Sequence, residues 1–226
     1  MFLTSDNNLK WAKLGWAAII TGLVVLLGIV WFDKPLFLFM RNLDCGLWRV
    51  MGDVFDDKVW FFAALITLIV FYMKKSAQAK IKFRNDKNKF SLRVLLGDFY
   101  VKIKDSYAFL IFCSIVSAGA LASVLKVLIG RARPVLFEGV GVSGFFPPSF
   151  DWVFHSMPSG HTTVSFAGLV MIGLLAPRYK AITWTLATLV AVSRVAVGAH
   201  WPTDVVLGAF IGMALADIVK WALGRK

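Results

Sequence analysis

Three short stretches of this chain carry the residue types that phosphoryl chemistry uses. The first is Lys126-Val-Leu-Ile-Gly-Arg-Ala-Arg133-Pro134, the second Pro158-Ser159-Gly160-His161, and the third runs Ser193-Arg194-Val-Ala-Val-Gly-Ala-His200-Trp-Pro-Thr-Asp204. In the third, Pro202 sets a helix start and puts Asp204 in the first turn, where a carboxylate complements the helix dipole. From there it can reach back to His200, hold one ring nitrogen protonated and leave the other as a nucleophile or base. A capping aspartate beside an interfacial histidine explains the same residues without any chemistry. In the second stretch, Ser159, Gly160 and His161 open an apolar run. Free N–H groups at a helix N-terminus bind anions, and Gly160 admits a ligand close to the backbone. A plain N-cap accounts for Pro-Ser-Gly but not for the ionisable histidine directly after it.

Lys126, Arg133 and Arg194 add three cations to these two elements. Snorkelling to the interface is the ordinary fate of such side chains. Against it, Lys126 lies about a turn inside an apolar run and Arg194 sits within an apolar stretch, and intramembrane ionisable residues are functional candidates by default. A phosphoryl group spreads its charge over several oxygens, so a ring of guanidinium, ammonium and N–H donors complements it. At an effective dielectric of about 20, each charge contact at ~4 Å is worth roughly 4 kcal/mol. Three cations also repel one another when the site is empty, which argues for a habitual anionic occupant.

The elements that must position these groups are membrane helices. With 226 residues, 58% hydrophobic, and a mean hydropathy of +0.72, the chain is too apolar for a soluble domain of its size and reads as one membrane-embedded unit, 1–226. The net charge of +12 does not mark a nucleic-acid binder, because most charges flank apolar spans instead of sharing one surface. Cys45 and Cys113 are far apart, one outside and one inside an apolar run, so neither a disulfide framework nor a cysteine metal site is supported.

Apolar runs occur at about 17–32, 59–73 (extending back toward Val54), 106–129, 158–176, 181–197 and 202–223. The first ends in Val30-Trp31-Phe32-Asp33-Lys34, without a small-residue cleavage signature, and reads as a retained span. Between the first two, Leu36, Phe39, Met40, Leu43, Leu47, Val50, Met51 and Val54 recur at helical spacing. An amphipathic helix lying in the interface fits this pattern, as does a helix packed on the bundle. Asp53, Asp56 and Asp57 lack the spacing of a calcium loop and read as a solvated helix end. Residues 134–157, rich in Gly, Pro and aromatics, read as a loop dipping into the interface. Several runs fall short of the ~20 residues a helix needs to cross the hydrocarbon core, as expected where helix ends belong to a wet site. Gly208 and Gly212 suit close helix packing.

Six spans put both termini on one side, and 17 of the 25 basic residues fall there, ten of them between Lys74 and Lys104. Positive-inside bias then makes that side cytoplasmic and sets all three motifs together at the outer face. The basic segment is read as a topology signal compatible with anionic lipid headgroups.

Lys-x6-Arg-Pro, Pro-Ser-Gly-His and Ser-Arg-x5-His-x3-Asp, in this order, resemble the three signature motifs of the type 2 phosphatidic acid phosphatase superfamily. That superfamily also includes bacterial non-specific acid phosphatases and vanadium haloperoxidases. The match covers residues 126–204 with no departed position, while the first hundred residues share only their membrane-helix character. The resemblance implies that His200 attacks phosphorus to form a phosphohistidine, oriented by Asp204, and that His161 protonates the leaving group. Lys126, Arg133, Ser159, Gly160 and Arg194 would bind the phosphoryl oxygens, with no metal and no cofactor. Arg131 and His155 lie outside the pattern and are placed at the rim, without a role.

The expectation is therefore an all-α, six-span transmembrane bundle with an amphipathic interfacial helix, in a bacterial inner membrane. It would hydrolyse a phosphomonoester or pyrophosphate on a phospholipid or isoprenoid: undecaprenyl pyrophosphate, phosphatidylglycerophosphate, phosphatidate or a lipid A phosphate. A lipid-to-lipid phosphotransferase would use the same site. An anion transporter fits less well, since a conduction path needs polar residues at several depths and these are confined to one face.

Overall fold

In the computed structural model, which describes residues 1–4, 6–82, 103 and 106–224, the described residues are mostly helical and form no β-strand. Helix α1, Trp11–Leu27, continues through a π-helical turn at Gly28–Phe32 into α2, Asp33–Arg41. The expected end of the first span near Phe32 is therefore corrected: one apolar rod runs from Trp11 to Arg41. Pro35 lies inside that rod, where its ring opposes the carbonyl of the residue four before it, and the widened turn directly upstream absorbs the conflict.

The chain breaks at Asn42–Cys45 and re-forms as α3, Gly46–Val54. The amphipathic segment is thus split, its first half belonging to the span and its second forming the separate short helix. That helix packs on α8, Lys180–Ala196, and leaves Leu47, Val50 and Val54 exposed, so it is both docked on the bundle and apolar toward its surroundings. Helix α4, Asp57–Lys82, starts only after a turn at Phe55–Asp56 and does not extend back to Val54. Asp56 ends that turn: its carbonyl accepts from the Trp60 N–H at 3.0 Å and its Oδ1 from the Lys58 N–H at 2.9 Å. The basic stretch read as a topology signal lies largely outside the described residues.

Helix α5, Tyr107–Ile129, is capped by Ser106, whose hydroxyl accepts from the Phe109 N–H. Pro134 then opens a two-turn helix, α6, Pro134–Val140, where a loop was expected. The rest of that segment is loop, stitched to the end of α5 by bonds such as Phe146 N–H to the Gly130 carbonyl and Ser156 N–H to the Arg131 carbonyl. Phe150 and Trp152 stay exposed at its tip, as an interfacial loop requires.

At the centre stands α7, Gly160–Leu175, enclosed by α5, α8 and α9, Pro202–Leu223. Every residue from Thr162 to Met171 is buried. Gly208 and Gly212 let α9 approach α7 so closely that a side-chain carbon at either would collide with Thr163 or its neighbours. Among the described residues, four helices are long and apolar enough to cross a membrane: Trp11–Arg41, Asp57–Ser76, Tyr107–Ile129 and Pro202–Leu223. The fourth and fifth expected spans correspond to α7 and α8, whose 16 and 17 residues fall short of that length; α7 is sheathed by its neighbours.

Candidate active site

All three motifs fall at one end of this bundle, where two helices stop and two begin. Lys126 lies in the last turn of α5, which Gly130 closes in the left-handed conformation (φ 56°). A side-chain carbon there would strike the Phe146 backbone, so glycine is required twice over. Ser159 precedes the first turn of α7, Arg194 lies in the last turn of α8, and Asp204 lies in the first turn of α9. His200 sits in the tight connection between α8 and α9, against the bundle interior.

The His200–Asp204 pair is buried, His200 being 2% exposed and Asp204 0%. Their separation, His200 Nδ1 to Asp204 Oδ2, is 3.6 Å, longer than a hydrogen bond. Catalytic contacts are often loose without substrate and tighten when it binds. Asp204 is instead fixed by other donors. Oδ1 accepts from Arg131 at 2.6 Å; Oδ2 accepts from the Ser156 hydroxyl at 2.5 Å and from the Trp201 N–H at 2.9 Å. Burial holds the His200 imidazole well below its ordinary pKa, and the charges of Lys126 and Arg133 act in the same direction against Asp204. The ring is therefore unprotonated and available as a nucleophile near neutral pH.

Of the residues expected to bind phosphate, Lys126 and Arg133 lie within Coulombic reach of His200. Lys126 Nζ donates to the His155 carbonyl at 2.8 Å, and Arg133 donates to the carbonyls of Trp152 (3.1 Å) and Ala199 (3.5 Å). Lys126, Arg133 and Arg194 all lie within Coulombic reach of His161. The Ser159 hydroxyl is fully buried and accepts from Thr162, while its N–H bonds the Asp204 carbonyl and so ties the second motif to the third. The structure thus brings together the eight residues singled out from the sequence.

Two of the sequence assignments are corrected. Arg131 is not a rim residue: it is 5% exposed and bridges Asp204 to Asp33 of the first rod, donating to Asp33 Oδ2 at 2.5 Å and to the Thr203 hydroxyl at 2.7 Å. Asp33 also accepts from the Thr203 N–H. The signal was available, since an acid at the end of an apolar run needs a partner. His155 is also more than rim, for its carbonyl holds Lys126 and its Nε2 lies 2.9 Å from the Ser149 carbonyl.

Nor is the acidic cluster after α3 a merely solvated helix end. Asp56 Oδ2 lies 3.1 Å from His161 Nε2, and an Asp57 carboxylate oxygen lies beside Gly160. Gly52 leaves the space into which the Arg194 guanidinium fits, close enough that any side-chain carbon there would collide with it. These contacts join residues over a hundred positions apart, and no local pattern announces them. The ligand atoms of Asp56, Asp57 and His161 all lie within 4.8 Å of one another, which raises the question of a metal ion. Lys126, Arg133 and Arg194 lie within Coulombic reach of the same histidine, so a divalent cation there would meet three positive charges.

A sequence profile of the PAP2 superfamily matches residues 107–226. The chain is 32% identical over 191 residues to a Rhizobium etli protein named lipid A 1-phosphatase, a match covering 83% of this chain and 75% of that one. It is 37% identical over 101 residues to the undecaprenyl-diphosphatase of Sulfolobus acidocaldarius, covering 44% and 47% of the two chains. The crystal structure of Aquifex aeolicus LpxE aligns with a TM-score of 0.45 at 20% identity, over 83% of this chain and 93% of that one.

Proposed function

The chain belongs to the PAP2 superfamily, and on that basis we propose that it is a membrane lipid phosphatase that removes phosphate from a lipid phosphomonoester or pyrophosphate through a phosphohistidine on His200. One observation carries this reading: His200, His161 and three cations converge on the N-terminus of α7 at one end of an apolar bundle. His200, held unprotonated, attacks phosphorus in line with the departing oxygen. Lys126, Arg133, Arg194 and the first N–H groups of α7 take up the charge on the equatorial oxygens. His161 delivers a proton to the leaving oxygen and then takes one from the water that releases phosphate from His200. None of these steps calls for a metal ion.

A lipid A-type glycosyl phosphate is the first substrate to try, because the Rhizobium etli relative aligns over most of both chains. An apolar groove of about 560 Å³ between α4 and α5, lined by Phe61, Phe62, Ile115 and Val116, reaches Asp57 at the edge of the site and offers a lipid chain a seat. The six-span reading, with α7 and α8 as the short inner spans, sets the site on the face opposite both termini, and the basic residues between Lys74 and Lys104 make that face the outer one of a bacterial inner membrane. The test is phosphate release by detergent-purified protein from lipid A, phosphatidate, phosphatidylglycerophosphate and undecaprenyl pyrophosphate, with lipid products identified by mass spectrometry. Release from at least one of them is expected, and release from none would remove the reading.

A further inference from the structure

We propose that Asp56 is a positioning residue for His161, forming a second carboxylate–histidine pair opposite the one made by Asp204 and His200. The inference rests on the phosphatase reading above and concerns the proton transfers of the same site.

The two oxygens of Asp56 do different work. Oδ1 accepts from the Lys58 N–H at 2.9 Å and caps α4, which fixes the side-chain rotamer. Oδ2 is thereby aimed away from the helix, and it lies 3.1 Å from His161 Nε2. A capping role needs only the first oxygen. With Nε2–H donated to Asp56, Nδ1 is left as the ring atom that exchanges protons with the substrate. The same contact fixes the ring plane, which His161 cannot obtain from its own helix.

Charge balance points the same way. A protonated His161 would be the fourth cation in a site that already holds Lys126, Arg133 and Arg194. Asp56 is the carboxylate in direct contact with the ring, so it is the counter-charge that lets His161 carry a proton there. In the first half-reaction, the His200–phosphorus bond forms as the phosphorus–oxygen bond to the lipid breaks, and the proton on His161 Nδ1 goes to the departing alkoxide. In the second, water oxygen attacks phosphorus, its proton passes to Nδ1, and the phosphorus–His200 bond breaks. Asp56 touches neither reacting bond and acts only through the ring.

The test compares Asp56→Asn, which keeps a capping oxygen but loses the charge, with Asp56→Ser, which keeps a capping hydroxyl but is too short to reach His161. Didecanoyl phosphatidate supplies a poor alkoxide leaving group and p-nitrophenyl phosphate a good one. Both variants should unfold thermally as the wild type does. Their kcat on phosphatidate should fall about 10–100-fold, a part of what loss of the whole general acid costs, with KM changed by less than about threefold. On p-nitrophenyl phosphate kcat should fall less than about threefold. Adding Asp56→Asn to His161→Ala should cause no further loss, because the carboxylate acts only through the ring. Equal losses on the two substrates, or a loss that multiplies with that of His161→Ala, would overturn the assignment while leaving the phosphatase reading intact. EDTA inactivation of the wild type that Mg²⁺ reverses would overturn it too, assigning the three groups to an ion. Where the wild type does not turn over phosphatidate, the lipid phosphomonoester that it does hydrolyse takes its place; release from none of the four lipids tried above would remove the phosphatase reading and this proposal with it.

Discussion

His200 with Asp204, and His161 with Asp56, are the same chemical pair built in two different ways. The first comes from a single turn of chain: the partners are four residues apart, sealed from solvent, and Asp204 is held by Arg131, Ser156 and the Trp201 N–H. The second joins the turn before α4 to the start of α7, over a hundred residues along, and its side chains are 32% and 19% exposed. In the proposed mechanism the nucleophile meets phosphorus at one fixed angle, which a carboxylate locked before substrate arrives would serve. The proposed acid serves leaving groups of varying shape and later admits water, which a partner at the open edge would allow. The first pair is made rigid by burial, the second accessible by its place.

The comparison is broken most severely at the nucleophile. His200→Ala should lower turnover of every substrate by about 10⁴-fold or more, whatever the leaving group. His161→Ala should cost about 10²–10⁴-fold on an alkoxide leaving group and much less on p-nitrophenyl phosphate. Steady-state kinetics on the two substrate classes reads both, and a uniform loss in His161→Ala would erase the proposed division of labour.

Rigidity of the first pair is tested next, through Arg131. Replacing it with Met leaves Asp33 and Asp204 as uncompensated buried charges, and should cost about 3–5 kcal/mol of stability, seen as a lowered thermal unfolding midpoint in detergent. Arg131→Met that unfolds like the wild type would show that Asp204 is held by its other donors alone.

A smaller effect belongs to the open side. Gly52→Ala puts a methyl group where the Arg194 guanidinium lies. The guanidinium is the free end of a flexible side chain, so the fold should survive while the phosphate contact shifts. Loss of one charge-assisted contact predicts a fall in kcat/KM of about 10–100-fold, with unfolding unchanged. The orientation of the open side is checked by labelling. In a Cys113→Ala chain, the exposed Cys45 beside α3 should react with a membrane-impermeant maleimide in intact spheroplasts. With both native cysteines replaced, a cysteine put in place of Arg178 should not. The reverse pattern would invert the topology.

How much of this was legible in the sequence follows the same division. The motif residues and the helices bearing them could be read because the signals are local: Pro202 and Asp204 for a helix start, Ser159 and Gly160 for another, apolar runs for the rods. The expected first span ends too early for a physical reason: Asp33 and Lys34 close the apolar run, and the π-helical turn that carries the helix on past Pro35 has no sequence mark of its own. Arg131 looked idle because its partner Asp33 is 98 positions away. Asp56 reads with Asp53 and Asp57 as a solvated helix end; one of its oxygens does cap α4, but the other faces a residue that only the packing of α4 on α7 supplies. The shortness of α7 was visible, and its cause was not: burial by neighbours is a property of the bundle, not of the segment.

The central claim is that His200 carries the phosphoryl group. Rapid-quench labelling with a ³²P-labelled lipid phosphate, followed by peptide mapping under alkaline conditions that preserve phosphohistidine, tests it directly. Label should appear on the peptide containing His200 within a single turnover and be absent from His200→Ala. Label on His161 would contradict the account.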